Sequence, residues 1–559
     1  MIEDYLLQVR KPARYIGGEW NTIKKDPKTC DIKFALCFPD IYELGMSYLG
    51  LRILYGLLNE QKDICCERVF APADDFEKIL RDNKIPLFSL ENRVPLKEFD
   101  IIGFSLTYEL NYTNVLNMLD LSGLPLLSKD RTILHPLVIG GGNCTLNPEP
   151  VADFFDLFLV GDAEEAILEI LEVYRNNRKL DRRELLLEFS NIEGVHVPSF
   201  ENKKTIKKRV VKDLNTAYFP KNWIVPYIEI VHDRLSLEIA RGCPNNCYFC
   251  QARVYYWPYR ERKVDVLKKQ LIDLYNNTGY EEVSLMGLSA SDYLNLDNFI
   301  GEVYDFCNER KIALSFPSIR ANSLVTRLGG LLSKVKKTTI TFAPETASLR
   351  LRCVLNKNLN IEELKKTSQE LFKAGYLHIK LYFMIGIPTE TEEELEQIIN
   401  LSREIFDVGK RVSNKKIFLN LSISNLIPKP HTALQWLAFD NAINLKRKEE
   451  YLRVNLKKIS SSLKISFHNL ETSIIEAVLS RGDRALGRII YRVWQKGAKF
   501  DGWQDHFNFY LWQDSFREEN INLDSYLKQR DIRDTLPWDY IDTGLNKQFL
   551  INNYKKMFL

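Results

Sequence analysis

Short apolar runs of strand length alternate with stretches of helical apolar spacing through residues 1–445, and this limits the fold more than any other feature. Residues 32–38 (IKFALCF) end at Pro39-Asp40 and lead into 45–58 (GMSYLGLRILYGLL), whose apolar side chains recur at the helical period. Further buried-strand candidates are 100–106, 136–140 and 155–160, with helical stretches between and after them, including 163–175. Strands separated by helices pair in parallel through right-handed crossovers, so residues 1–180 are expected to form a doubly wound, Rossmann-like α/β domain. Six more strand–helix units follow within 233–445, with strands expected at 235–240, 281–287, 312–316, 338–343, 377–385 and 417–426. Six units suit a partial (β/α)6 TIM-like barrel, whose chemistry would lie at the C-terminal ends of its strands.

The segment between them, 181–232, reads as a polar helix and two short extended runs. Its basic stretch KKTIKKRVVK (203–212) is expected to be a solvated hairpin in a linker, with a contact to RNA or an acidic partner as the alternative. Residues 446–559 are helix-rich and aromatic, a packing domain expected to close one end of the barrel. Lys plus Arg, 77, against Asp plus Glu, 74, leaves only +3, so no global field argues for a nucleic acid or a membrane. No apolar run reaches the roughly 18–20 residues of a membrane span. The start, MIEDYLLQVRKPARY, has two early acids and no unbroken apolar core, unlike a signal peptide. A cytoplasmic location follows as the expectation.

Of ten cysteines, seven are scattered, and a chain this long has no need of a disulfide framework. Cys243, Cys247 and Cys250 lie together in Arg241-Gly-Cys-Pro-Asn-Asn-Cys-Tyr-Phe-Cys250, directly after the first barrel strand. Three close thiolates without a fourth hold an iron–sulfur cubane with one iron open to another ligand. Structural zinc would ask for a closed set of four.

With Phe249 before the last cysteine and a six-unit barrel around it, this motif resembles the radical S-adenosylmethionine (SAM) superfamily. The resemblance implies a 4Fe-4S cluster on Cys243, Cys247 and Cys250, SAM on the open iron, and reductive cleavage to a 5′-deoxyadenosyl radical. It implies SAM contacts from Phe249 and from Leu285-Met-Gly-Leu-Ser-Ala-Ser-Asp-Tyr293, where Gly287, Ser289 and Ser291 occupy the place of the family's glycine-rich turn. Ser318 and Arg320 after the third strand, Glu345 after the fourth as ribose ligand, and Ile385 in the fifth-strand turn complete that set. An Arg–Glu structural pair with Arg350 or Arg352 is the alternative for Glu345. Pro428-Lys-Pro-His431 could lid the pocket, with His431 as a proton donor. A reductant such as flavodoxin or ferredoxin is the implied partner.

The N-terminal domain resembles the cobalamin-binding domains that many such proteins carry. Asp40-Ile-Tyr-Glu-Leu-Gly45 matches their DxHxxG signature at Asp40 and Gly45, but Tyr42 stands where histidine would ligate cobalt. Ser105 and the run Gly140-Gly141-Gly142 match the positions that accommodate the nucleotide tail. Together with RYIGGEWN (14–21), LSRGDRALG (479–487) and LPWDYID (536–542), these phrases are similar to one bacterial family of radical SAM proteins with a cobalamin-binding-type domain, whose substrate is unassigned. Cobalamin-linked methylation of an RNA or protein is one expected outcome. The alternatives are a methylthiotransferase for tRNA or ribosomal protein, which would need a second cluster, and a non-catalytic iron–sulfur scaffold.

Overall fold

The structure, a computed structural model, describes residues 2–200, 204–315 and 339–558. The N-terminal sheet contains β1 (Ile32–Phe38), β2 (Ile64–Phe70), β3 (Ile101–Ser105), β4 (Leu137–Gly141), β5 (Leu157–Leu159) and β6 (Val195–His196) in the order β2-β1-β3-β4-β5-β6. All pairings are parallel except β5 with β6. The strand order reverses between β1 and β3, and a doubly wound sheet opens a crevice beyond the carboxyl ends of the strands at such a point.

Alternation along β1 divides the domain between two cores. Phe34, Leu36 and Phe38 pack with the helices Leu49–Glu60 and Ala166–Asn177. Ala35 and Cys37 face the opposite core, which takes in Ile489, Ile490, Val493, Trp512 and Phe516 from the last hundred residues. The C-terminal helices Leu486–Gln495 and Phe509–Glu518 therefore cover a face of the N-terminal sheet. This corrects the expectation of a cap on the barrel: on this face the crossover helices Asp74–Asp82 and Tyr112–Leu121 share their core with the C-terminal helices.

The second set of parallel strands comprises β7 (Leu235–Glu238), β8 (Glu282–Met286) and β9 (Ala313–Ser315), paired in the order β9-β8-β7. A four-stranded sheet follows: β10 (Ile340–Glu345), β11 (His378–Ile385), β12 (Phe418–Asn425) and β13 (Leu463–Phe467). One apolar core runs through both sheets and their helices. The helix Glu392–Val412 begins with a capping box between Thr391 and Glu394, and Ile361–Lys373 begins at Asn360, whose side chain accepts two N–H bonds.

The basic stretch is not a solvated hairpin. Lys208 is buried, and its ammonium donates to the carbonyls of Val254 (2.9 Å), Tyr255 (2.7 Å) and Trp257 (2.6 Å). Arg209 pairs with Glu169 at 2.6 Å, and Ile206–Lys207 pairs with Ile541–Asp542. Sequence alone showed the charge but not the carbonyls waiting for it. Among the described residues no helix is long and apolar enough to cross a membrane.

Candidate active site

The chain leaves β7, bridges Ala240–Arg241 to Arg260–Glu261, and turns at Gly242 with φ +90°. A Cβ there would come within 2.8 Å of the Tyr256 carbonyl and 2.9 Å of the Pro258 carbonyl, so only glycine lets the loop start. Cys243, Cys247 and Cys250 are free thiols, each half-buried. Cys243 Sγ accepts from Asn245 Nδ2 at 3.4 Å, and Cys250 Sγ accepts from the backbone N–H of Arg253 at 3.4 Å at the start of the helix Gln251–Tyr255. Lys208 closes the other end of that helix.

A second loop, after the helix Leu349–Val354, grips the cysteine loop from outside. Tyr248 N–H donates to Leu355 O at 3.0 Å and Asn356 Nδ2 donates to Asn246 O at 2.7 Å. Burial pushes the Cys247 thiol up to about 11, against the nearby Lys357 ammonium and with Cys250 and Cys243 adding to the rise. Burial likewise raises Cys250, which also feels Cys243. The three sulfurs thus share one neighbourhood. A cubane takes one thiolate on each of three irons, and the three free thiols of this one loop supply that number. The donor set fits a cluster.

Most of the other barrel candidates gather here. Ser289 Oγ donates to Asp292 Oδ2 at 2.7 Å, and the same carboxylate oxygen accepts from Asn245 Nδ2 at 2.6 Å, tying the turn after β8 to the cysteine loop. Ser291 is buried in the same turn. Glu345 has φ +65°, a conformation rarely taken by side-chain-bearing residues, at a register shift between β10 and β11. Its carboxylate accepts from Lys357 Nζ at 3.0 Å, and that ammonium lies 5.9 Å from the Phe249 ring centroid. Burial raises the Glu345 carboxyl and Lys357 opposes it. The alternative, an Arg–Glu pair with Arg350 or Arg352, does not form: Arg350 binds Glu394, and Arg352 donates to the carbonyls of Thr346 and Ala347. Ile385 is buried at the end of β11, its carbonyl accepting from Leu426 N–H at 2.9 Å. Ser318 and Arg320 lie outside the described residues. His431 is buried with Nε2 3.0 Å from Leu146 O, and burial holds its pKa down to about 4, so it is a structural donor and no lid acid.

A cavity of about 620 Å³ opens at the β1/β3 crevice and reaches the cysteine loop. Asp40, Ser105, Gly141 and Gly142 line it from the N-terminal sheet, and Gly242 and Gly287 line it from the barrel. A Cβ on Gly141 would meet nothing within 4 Å, so the space beside it is kept open. Tyr42 and Gly45 do not line it. Tyr42 is buried with its hydroxyl on Glu19, and a Cβ on Gly45 would strike the Phe70 ring at 2.2 Å. Gly45 is therefore a packing glycine.

Arg241, adjacent to the cysteine loop, binds across the cavity's edge to Asp162 (3.1 Å), Glu164 (2.7 Å) and Glu238 (2.9 Å). Arg260 joins Asp162 at 2.7 Å and Arg262 joins Glu238 at 2.8 Å. Burial pushes the Glu238 carboxyl up, but Arg241 and Arg262 outweigh it and hold it down to about 2. Sequence reasoning missed this clamp, because nothing local marks Asp162 and Glu164 as partners of a residue so far along the chain.

Residues 237–402 match the model of the radical SAM superfamily, and residues 50–198 match that of radical SAM proteins, N-terminal. An uncharacterized protein of Methanocaldococcus jannaschii is 29% identical over 461 residues, covering 82% of this chain and 90% of that one. The ribosomal protein uS12 methylthiotransferase RimO of a Thermoanaerobacter species is 22% identical over 262 residues, 43% of this chain and 56% of its own. The radical SAM methyltransferase TsrM from Kitasatospora setae, solved with cobalamin and a [4Fe-4S] cluster, superposes with a TM-score of 0.47 at 12% identity, covering 70% of this chain and 74% of that one.

Proposed function

The chain belongs to the radical SAM superfamily and is an enzyme; from that premise we propose that it holds a 4Fe-4S cluster on Cys243, Cys247 and Cys250, cleaves SAM reductively, and uses cobalamin bound in the cavity to modify a substrate. When bound, the cluster supplies the electron that splits SAM into methionine and a 5′-deoxyadenosyl radical, and cobalamin supplies a carrier for a methyl group. The observation that carries the reading is the cavity itself, which joins the β1/β3 crevice to Gly242, one residue from the first cluster cysteine.

The protein's own part is positioning and exclusion of water. Asn245 and Asp292 fix the turn of Gly287 against the cysteine loop, so that the backbone on the SAM side is set before a ligand arrives. Glu345, Lys357 and Phe249 form a linked group beside the cysteine loop, where Glu345 is the proposed ribose ligand once SAM competes with Lys357. Ser289 and Ser291 of the Gly287 turn, Ile385 at the end of β11, Ser318 and Arg320 are further proposed SAM contacts. Asp40, Ser105, Gly141 and Gly142 are the proposed cobalamin side. The open space at Gly141 fits a nucleotide tail, and Tyr42, held by Glu19, is not placed to ligate cobalt.

Anaerobic reconstitution with iron and sulfide, reduction and incubation with SAM tests the cluster reading: 5′-deoxyadenosine should form, and should vanish in Cys243→Ala, Cys247→Ala and Cys250→Ala. A wild-type protein that holds its cluster but cleaves no SAM under any reductant sinks it. The similarity to the methylthiotransferase favours a second reading, distinguished by eight irons per chain instead of four. Burial, however, pushes the thiols of Cys37, Cys66 and Cys144 well up, with nearby carboxylates adding to the rise at Cys66 and Cys144, a poor setting for a second cluster.

A further inference from the structure

Arg253 lies in the first turn after Cys250, and its backbone N–H donates to the Cys250 sulfur at 3.4 Å. The residue is only 8% exposed. Its guanidinium nevertheless makes no ion pair and no hydrogen bond among the described residues, and Nε is buried without an acceptor. Every other buried arginine among them donates to a carboxylate, as Arg68 and Arg131 do, or to backbone carbonyls, as Arg52 and Arg481 do. The Arg253 guanidinium lies over the Trp257 ring, 5.1 Å from its centroid, and Lys208 holds Trp257 in turn by donating to its carbonyl at 2.6 Å. A ring face orients a cation but brings no counter-charge.

Arginine keeps its charge inside a protein, and a buried charge without a counter-ion is strongly unfavourable. Burial presses this guanidinium toward its neutral form, and the groups opposing it are the cysteine sulfurs, Cys250 first, then Cys243 and Cys247. A 4Fe-4S core of charge +2 on three thiolates carries one net negative charge, and a second on reduction. We infer that Arg253 is the built-in counter-ion of the cluster, a positioning residue that eases its one-electron reduction by an external protein reductant. The inference rests on the cluster reading of the three cysteines. The carboxylate of SAM is the competing anion, and position decides against it. Gly242 and Gly287 line the cavity beside the cysteine loop, whereas Arg253 does not and meets the cysteines from the helix that follows them.

The test uses the full chain, anaerobically reconstituted to four irons, with the cluster's midpoint potential read by electron paramagnetic resonance in a mediated redox titration without SAM. Arg253→Met and Arg253→Gln, both neutral, should lower the ratio of reduced to oxidised cluster at a fixed potential about tenfold, or about 59 mV for one electron, the order expected of one unit charge acting through protein. Arg253→Lys, which keeps the charge, should stay within about threefold of wild type. A merely structural role would change iron retention and leave the potential of the clusters that remain. Wild-type potential in either neutral variant overturns the inference, even where SAM affinity falls, because the guanidinium would then serve the SAM carboxylate. Loss of the cluster from both neutral variants but not from Arg253→Lys also overturns it, since the cation would then serve assembly. A wild-type chain that takes up no cluster removes this inference together with the cluster reading.

Discussion

The hydroxyl of Tyr42 donates to Glu19 Oε1 at 2.8 Å, inside a buried network in which Arg68 binds both Glu19 and Glu91. Tyr42 occupies the register position of a cobalt-ligating histidine, yet it is sealed into the protein below the cavity. Restoring the histidine should therefore not restore a ligand. With cobalamin loaded and reduced to the cobalt(II) state, electron paramagnetic resonance should show no histidine nitrogen coupling in Tyr42→His. Coupling would mean that the loop can turn over. Tyr42→Phe should lower unfolding stability by about 1.5–3 kcal/mol, the value of one buried bond to a charged acceptor, as read by urea denaturation.

Arg241 ties the cysteine loop to the N-terminal domain. Arg241→Met leaves Asp162, Glu164 and Glu238 buried with fewer cationic partners, and breaking such a pair costs about 3–5 kcal/mol. The denaturation midpoint should fall accordingly. Glu164→Gln, which keeps the shape and removes one charge of three, should cost clearly less.

Lys208 stabilises the helix that follows Cys250 by donating to three carbonyls at its C-terminal end, where a cation is favoured. Lys208→Met should leave the cysteines in place but loosen their support, and the reconstituted cluster should yield to a chelator at roughly tenfold lower concentration. An unchanged chelation curve would show that the helix holds its position without Lys208.

His431 gives a pH dependence with a defined sign. Burial holds it neutral in the fold down to about pH 4, whereas the unfolded chain binds the proton near 6.5. Its contribution is thus complete above about pH 6.5 and is lost as the pH falls toward 4, up to roughly 3 kcal/mol. Asp501, which burial pushes up to about 6, acts in the opposite sense between its ordinary 3.8 and 6. The informative quantity is the difference between wild type and His431→Gln: from pH 7 to pH 5 the wild type should lose more urea resistance than the variant.

Local chemistry made much of this molecule readable in advance. The run 32–38 coincides with β1, because a buried strand needs only consecutive apolar residues bounded by a turn. β2 escaped the same reading, since Glu67 and Arg68 interrupt ICCERVF, and both are buried by partners, Ser89 and Asn92 for one and Glu19 and Glu91 for the other, that no local pattern reveals. The cysteine motif was legible because its three cysteines lie within a few residues of one another and their spacing is the signal.

The sequence by itself thus determined the strand–helix alternation and the three thiolates, both set by neighbours along the chain. Tertiary structure decided everything that depends on groups far apart in sequence. It turned Tyr42 away from the cavity, spent a basic segment on capping one helix, and brought the C-terminal helices into the core on one face of the N-terminal sheet. The physical reason is the same throughout: a buried charge or polar atom must find its partner wherever the fold brings one, and that distance is not written in spacing.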